Sequence, residues 1–192
     1  MKRSDTMKKM YLCLLLIVCL CVCACAPKEE PFRAAPTATP LPEQMPEDFD
    51  IYFNFGPGPN FVDTYEDVIQ KDLIIKGTAQ AKIEDDSALR EQLYELVREY
   101  KLNSITDELT VENIRRYFPD RDTYFSTPSG YYVIRFTVNG KEYNIEGSQD
   151  IEQFSEIDEQ CRNFIGFADA VVKLIRETEE YLSLPEAEGG YM

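Results

Sequence analysis

The stretch Tyr131-Tyr-Val-Ile-Arg-Phe-Thr-Val-Asn139-Gly140-Lys-Glu-Tyr-Asn-Ile-Glu146 decides most of the fold. Asn139-Gly140 is what a two-residue type I′ turn needs, because both central positions take positive φ. A loop of that length sets the register. Phe136 then faces Tyr143 and Ile134 faces Ile145 on one side, while Arg135 faces Asn144 and Thr137 faces Glu142 on the other. Apolar and polar pairs separate cleanly, and a slip of one residue would turn every side chain over. The stretch reads as a β-hairpin with one buried face.

Upstream, Phe49, Ile51, Phe53 and Phe55 alternate with Asp48, Asp50, Tyr52 and Asn54, the period of a strand with one face in a core. Gly56-Pro-Gly-Pro-Asn60 ends it. Phe61 to about Ile75 reads as a second extended region with a kink near Glu66-Asp67, and Ala79, Ala81 and Ile83 mark a third. Asp85-Asp86-Ser87 offers N-caps for a helix to about Tyr100. Its apolar stripe is Leu89, Leu93, Leu96, Val97 and Tyr100. Residues 102–130 are irregular, with a short helix over Thr110–Tyr117 stopped by Pro119. After the hairpin, a long helix is expected from about Ser155 to Leu182, with Cys161, Phe164, Ile165, Ala168, Val171, Val172 and Ile175 on its inner face. The order predicts an α+β fold over residues 48–192: a mostly antiparallel sheet of about five strands with two main helices packed on one face.

The N-terminus reads as an address. Lys2, Arg3, Lys8 and Lys9 precede seventeen uncharged residues, Met10–Ala26. A basic start, a short apolar run and a small residue at its end describe an export signal. The run sits at the lower limit for a membrane-spanning helix, the competing reading. Val22-Cys23-Ala24-Cys25 resembles the lipobox of bacterial lipoproteins. The resemblance implies a signal peptide over 1–24, cleavage after Ala24 and a diacylglyceryl group on the Cys25 thiol. Cys13, Cys19, Cys21 and Cys23 would then leave with the signal, and Cys161 would be the only other thiol. On a predicted inner helix face, Cys161 reads as a small buried hydrophobe.

Residues 25–47 follow as a lipidated cysteine and a Pro-rich tether. They include six of the chain's eleven prolines and could extend to roughly 70 Å at about 3.1 Å per residue. Removing Lys2, Arg3, Lys8, Lys9 and Asp5 takes the formal charge from −15 to −18. Such a domain is repelled by anionic lipid and is expected to stand away from the membrane.

Asp63-Thr64, Lys71-Asp72-Leu73-Ile74 with Gly77-Thr78, and the ending Leu184-Pro185-Glu-Ala187-Glu-Gly189-Gly190-Tyr191 give residues 48–192 a further resemblance. They are similar to a group of small bacterial lipoproteins of unknown function. That resemblance implies one acidic α+β domain on a lipid anchor. It carries over no activity and no catalytic residues.

The chemistry is bounded by what the composition lacks. With no His, Ser-His-Asp and Cys-His pairs and His zinc sites are excluded. An acidic chain with 35 Asp+Glu against 20 Lys+Arg is a poor partner for nucleic acid. No nucleophile or phosphate-loop motif occurs, so no catalytic residue, cofactor or metal ligand is assigned and the chain is not expected to be an enzyme. Asp120-Arg-Asp122-Thr-Tyr-Phe-Ser126 starts like a calcium loop but lacks its Gly and its final acid. The expected role is non-catalytic binding at the cell envelope on the extracytoplasmic side, with the membrane held through Cys25 and an envelope protein as partner. The candidate contact residues are Tyr52, Tyr124, Phe125, Tyr131 and Tyr132. A calcium- or small-ligand-binding lipoprotein is the alternative, and a carboxylate-dependent hydrolase comes third.

Overall fold

The computed structural model describes residues 30–191; the signal segment and Cys25 lie outside the described residues. Six strands form one antiparallel sheet: β1 (Asp50–Phe55), β2 (Asn60–Asp63), β3 (Val68–Asp72), β4 (Thr78–Lys82), β5 (Tyr131–Val138) and β6 (Lys141–Ser148), in the order β4-β3-β2-β1-β5-β6. Among the described residues the helices are α1 (Ser87–Glu99), α2 (Val111–Arg115), α3 (Glu159–Arg176) and α4 (Glu179–Ser183), with 3₁₀ turns at Leu102–Ser104 and Gln149–Phe154. The fold is α+β, as the order of elements predicts, with α1 and α3 as its main helices.

The β5–β6 register is the one the Asn139-Gly140 turn imposes, including Phe136↔Tyr143, Ile134↔Ile145, Arg135↔Asn144 and Thr137↔Glu142. Both turn residues have positive φ. Asp48 holds the turn from outside, accepting the backbone N–H groups of Asn139 (3.0 Å) and Gly140 (2.6 Å).

There are six strands where about five are expected, because the kink at Glu66-Asp67 is a complete reversal. Asp67 takes φ +54°, and β2 turns back to pair with β3. Thr64 ties this turn to β1: its Oγ accepts the Ile51 N–H at 2.9 Å and donates to Asp50 at 2.9 Å. The expected long helix is also two helices. Asp158 starts α3 by accepting the Cys161 N–H at 3.0 Å. Thr178 then caps α4, accepting the Tyr181 N–H while its hydroxyl donates to the Ile175 carbonyl.

The core lies between one face of the sheet and α1 and α3. Phe53 is its centre, with ring contacts to Phe55 (5.4 Å), Tyr132 (5.9 Å) and Phe167 (5.6 Å). Phe167 joins the expected inner face of α3, while Val172 is only half-buried. On α1, Tyr94 is buried and Leu96 only partly so, because Tyr94 reaches a part of the chain beyond the predicted domain. Cys161 is buried, and burial pushes its thiol pKa up, above the ordinary range.

The largest departure concerns residues 32–47, expected as tether. They belong to the folded unit, which begins at Phe32, and form a strap across the helical layer. Arg33 makes a parallel bridge to Asp158, with Arg33 N to Ile157 O at 2.7 Å and Glu159 N to Arg33 O at 2.9 Å. Tyr94, Arg98 and Asn103 donate to the carbonyls of Pro42 (2.8 Å), Glu43 (3.0 Å) and Thr39 (2.7 Å). Leu41 and Met45 pack against the core. Around Pro40 and Pro42, which have no N–H to offer, the domain binds the strap through its carbonyls; nearer Arg33 it also takes the strap's N–H groups, the Ala35 N–H going to Glu159 at 2.9 Å.

The C-terminal segment folds back as well. Glu188 bridges Ile74 in parallel and pairs with Lys76, while Glu186 approaches the buried Lys71 at 3.7 Å. A Cβ on Gly58 would lie 1.9 Å from the Tyr191 hydroxyl and 2.0 Å from Asp72 Oδ2, a space only glycine leaves free. Two of the stretches that carry the sequence resemblance, Lys71–Ile74 and Leu184–Tyr191, therefore meet at one end of the sheet.

Candidate functional site

Helices cover one face of the sheet and leave the other open. Strand alternation puts Tyr52 on the open face, and pairing gives it neighbours the sequence did not reveal: Asp63 on β2 and Arg135 on β5. Its ring lies 5.6 Å from that of Phe61, and the Arg135 guanidinium stands 5.6 Å from the Tyr52 ring on the β5 side. Tyr65 reaches the same face, its hydroxyl 2.8 Å from that of Thr137. Burial raises the pKa of the Tyr52 and Tyr65 phenols, against the pull of Arg135 on the first and the Thr137 hydroxyl on the second. These groups act at neutral pH as ring faces and hydroxyl hydrogen-bonding groups.

Tyr131 stands on the same face at the start of β5, paired with Ser148, and its hydroxyl donates to Glu146 at 3.2 Å. Burial raises its phenol too, helped by the Glu146 carboxylate. Beside it a groove of about 300 Å³ is lined by Phe125, Tyr131, Ser126, Ser129, Ser148 and Asp150, with Thr110–Glu112 opposite. Asp150, only 6% exposed, organises this wall. It accepts the Ser126 N–H at 3.1 Å and the Ser126 hydroxyl, and its own N–H donates to Ser148 Oγ. Ser148 and Ser129 hydroxyls lie 3.0 Å apart. The outcome is two exposed aromatic rings beside a row of hydroxyls.

The five candidate aromatics do not form one cluster. Phe125 and Tyr131 share the groove. Tyr124, 60% exposed, is fixed through its backbone by the Gln153 side chain, and Tyr52 lies farther along the open face. Tyr132 is a correction: it belongs to the core, packed between Phe53 and Phe164. Period-two alternation with Ile134 and Phe136 requires this, and burial pushes its phenol up to about 12. Sequence reasoning missed Phe61, Arg135 and the Ser126–Ser129–Ser148–Asp150 row. The hairpin register puts Arg135 on the polar face, but its approach to Tyr52, like the rest, depends on contacts between segments distant in the chain.

Other concavities lie elsewhere among the described residues. One of about 530 Å³ lies between the strap (Ala35–Leu41) and Arg98, Lys101 and Glu159. Another of about 260 Å³ separates Ile105–Glu108 from the outer edge of β6. Among the described residues no group of three Asp, Glu, Cys or His side chains could hold a metal ion. In the segment that begins like a calcium loop, Ser126 turns to Asp150.

No protein-family model and no curated protein matches the chain. Among the described residues no helix is long and apolar enough to cross a membrane.

Proposed function

We propose that the chain is a lipid-anchored extracytoplasmic lipoprotein whose domain binds another envelope protein without catalysis. The anchor rests on the lipobox-like Val22-Cys23-Ala24-Cys25. The binding role rests on the groove where Phe125 and Tyr131 meet the hydroxyls of Ser126, Ser129 and Ser148. At about 300 Å³ it is at the small end for a drug-sized ligand, and it opens at Tyr131 onto the uncovered face of the sheet. A shallow aromatic depression continuous with a flat polar surface suits a protein partner, whose side chains fill the depression while its backbone meets the hydroxyls.

A photo-crosslinking phenylalanine analogue placed at position 131 in growing cells tests this. The expected result is a single adduct of defined mass that is lost on Phe125→Ser and absent when the analogue replaces Gln80, an exposed residue of the far edge strand. Equal labelling at both positions, or none at 131, would contradict a partner at the groove. A rise in melting temperature with calcium, reversed by chelator, would replace the protein-partner reading with a metal-binding one.

A further inference from the structure

We infer that the outer edge of β4 docks a second copy of this chain, antiparallel about a two-fold axis at Gln80. β4 and β6 are the two edges of the sheet. At either end of β4 the Leu73 N–H donates to the Gly77 carbonyl at 2.7 Å and the Ile83 N–H to the Asp67 carbonyl at 2.8 Å. Antiparallel pairs alternate between bonded and non-bonded. In the register Asp72↔Thr78 to Val68↔Lys82, Ala79 and Ala81 therefore spend their backbone groups on β3. The N–H and C=O groups of Thr78, Gln80 and Lys82 point the other way, and among the described residues no strand or bridge pairs with them.

The two edges are not alike. β6 is guarded: the Leu109 N–H donates to the Glu146 carbonyl and the Ser148 N–H to the Leu109 carbonyl. Lys141, Glu142 and Glu146 put charge along the rest of it, which discourages an added strand. β4 reads Thr-Ala-Gln-Ala-Lys, with Lys82 at its end as its single charge. Ile75 and Leu182, the two most exposed large apolar side chains of the described residues, adjoin it. Ile75 is 76% exposed in the turn from β3, and Leu182 is 68% exposed on α4, which packs on β3 and β4. An unpaired, nearly uncharged edge beside exposed apolar groups is a docking surface for another strand.

Register and charge select the occupant. Outward-facing residues bond only to outward-facing residues, and one antiparallel setting engages all of them: Gln80 with Gln80 of the second copy, and Thr78 with its Lys82. That setting puts Ala79 opposite Ala81 of the second copy and no two like charges face to face. The strip from Lys76 to Glu84 is neutral once Glu188, which pairs with Lys76, is counted, on a chain of charge −15. Further acids, Glu66, Asp67 and Asp85, gather at the Glu84 end. The two-fold sets that end beside the second copy's Lys76. It keeps the two acidic ends about 27 Å apart at roughly 3.4 Å per residue, beyond a screening length of about 8 Å at physiological salt. The groove at Phe125 and Tyr131 borders the other half of the sheet and stays open in such a pair.

Cysteine cross-linking of the full-length protein in growing cells tests the inference, with a short bismaleimide and the parent chain as control for the native thiols. Gln80→Cys should give a covalent dimer. Thr78→Cys and Lys82→Cys should give little when expressed singly and a dimer when co-expressed, while Glu142→Cys on the other edge gives none. Adding Gln80→Lys to both co-expressed chains sets two ammonium groups on the axis and should cut the yield severalfold. Gln80→Lys in one chain with Gln80→Glu in the other should restore it, which a misfolded variant could not do. The photo-crosslinking analogue at position 80 should likewise join two copies, at twice the chain's mass, with the groove partner's adduct still absent there. No dimer with Gln80→Cys, equal yields at positions 80 and 142, or a loss that the Lys–Glu combination fails to restore would each overturn the inference.

Discussion

Arg33 and Asp158 are joined twice, by backbone and by side chain. Their residues form a parallel β-bridge, and the Arg33 Nε donates to Asp158 Oδ2 while Nη1 donates to Asp107 Oδ2 at 2.7 Å. Asp158 is fully buried and also caps α3 through the Cys161 N–H. One carboxylate thus holds both the strap and the start of the long helix.

Arg33→Ala should therefore destabilise the domain by about 3 kcal/mol, the lower end for breaking a buried pair, because Asp158 keeps its capping N–H. Asp158→Ala removes the cap and leaves the guanidinium with Asp107 alone, and should cost more. Urea unfolding measures both. Limited proteolysis should cut between Ala35 and Leu41 faster in Arg33→Ala than in the parent. Equal stability and equal cleavage would show that the strap is not held through this pair.

Gly147 lies on the buried face of β6, where an added Cβ would meet Leu109 Cβ at 2.8 Å and Phe164 Cε1 at 2.8 Å. Leu109 is fixed there by a bridge to Gly147 itself, so neither side can yield freely. Gly147→Ala should cost about 1–3 kcal/mol by overpacking, read as a lower urea midpoint at unchanged slope. A neutral result would mean that the 105–109 segment moves away from β6 at little cost.

Alkaline stability follows from Tyr132. Burial raises its phenol to about 12, above an ordinary value near 10. Between those values the unfolded chain has lost this proton and the folded chain keeps it. Stability therefore falls as pH rises from about 10 to about 12. A shift of two units corresponds to at most about 3 kcal/mol. Tyr132→Phe should flatten this fall, although Cys161, also raised by burial, contributes in the same direction. An unchanged slope in Tyr132→Phe would contradict the burial of the phenol.

Local structure was legible in the sequence, and long-range pairing was not. The Asn139-Gly140 turn carries its own register, so the pairs from Ile134↔Ile145 to Thr137↔Glu142 followed from sixteen residues, while β6 runs on to Ser148. The pairing of β1 with β5 joins Ile51 to Phe136 across most of the domain, and no local pattern announces it. The strap was hidden for a related reason. Its prolines read as spacer, and the groups that hold it, Tyr94, Arg98, Asn103 and Asp158, lie more than fifty residues away. Of the candidate contact residues, Phe125 and Tyr131 meet because Asp150 draws Ser126 toward β6. Tyr132 was misplaced by grouping it with its neighbour when the alternation with Ile134 and Phe136 puts it inside.

The lipid anchor bears most directly on the proposed function, since the extracytoplasmic setting of the domain depends on it. Intact mass measurement of the protein extracted from membranes, with N-terminal peptide mapping, tests it. The expected product begins at Cys25 and carries a diacylglyceryl mass on that residue, and Cys25→Ser yields a chain with no added lipid. A mature chain that still begins at Met1, or that begins elsewhere without lipid, would contradict the account.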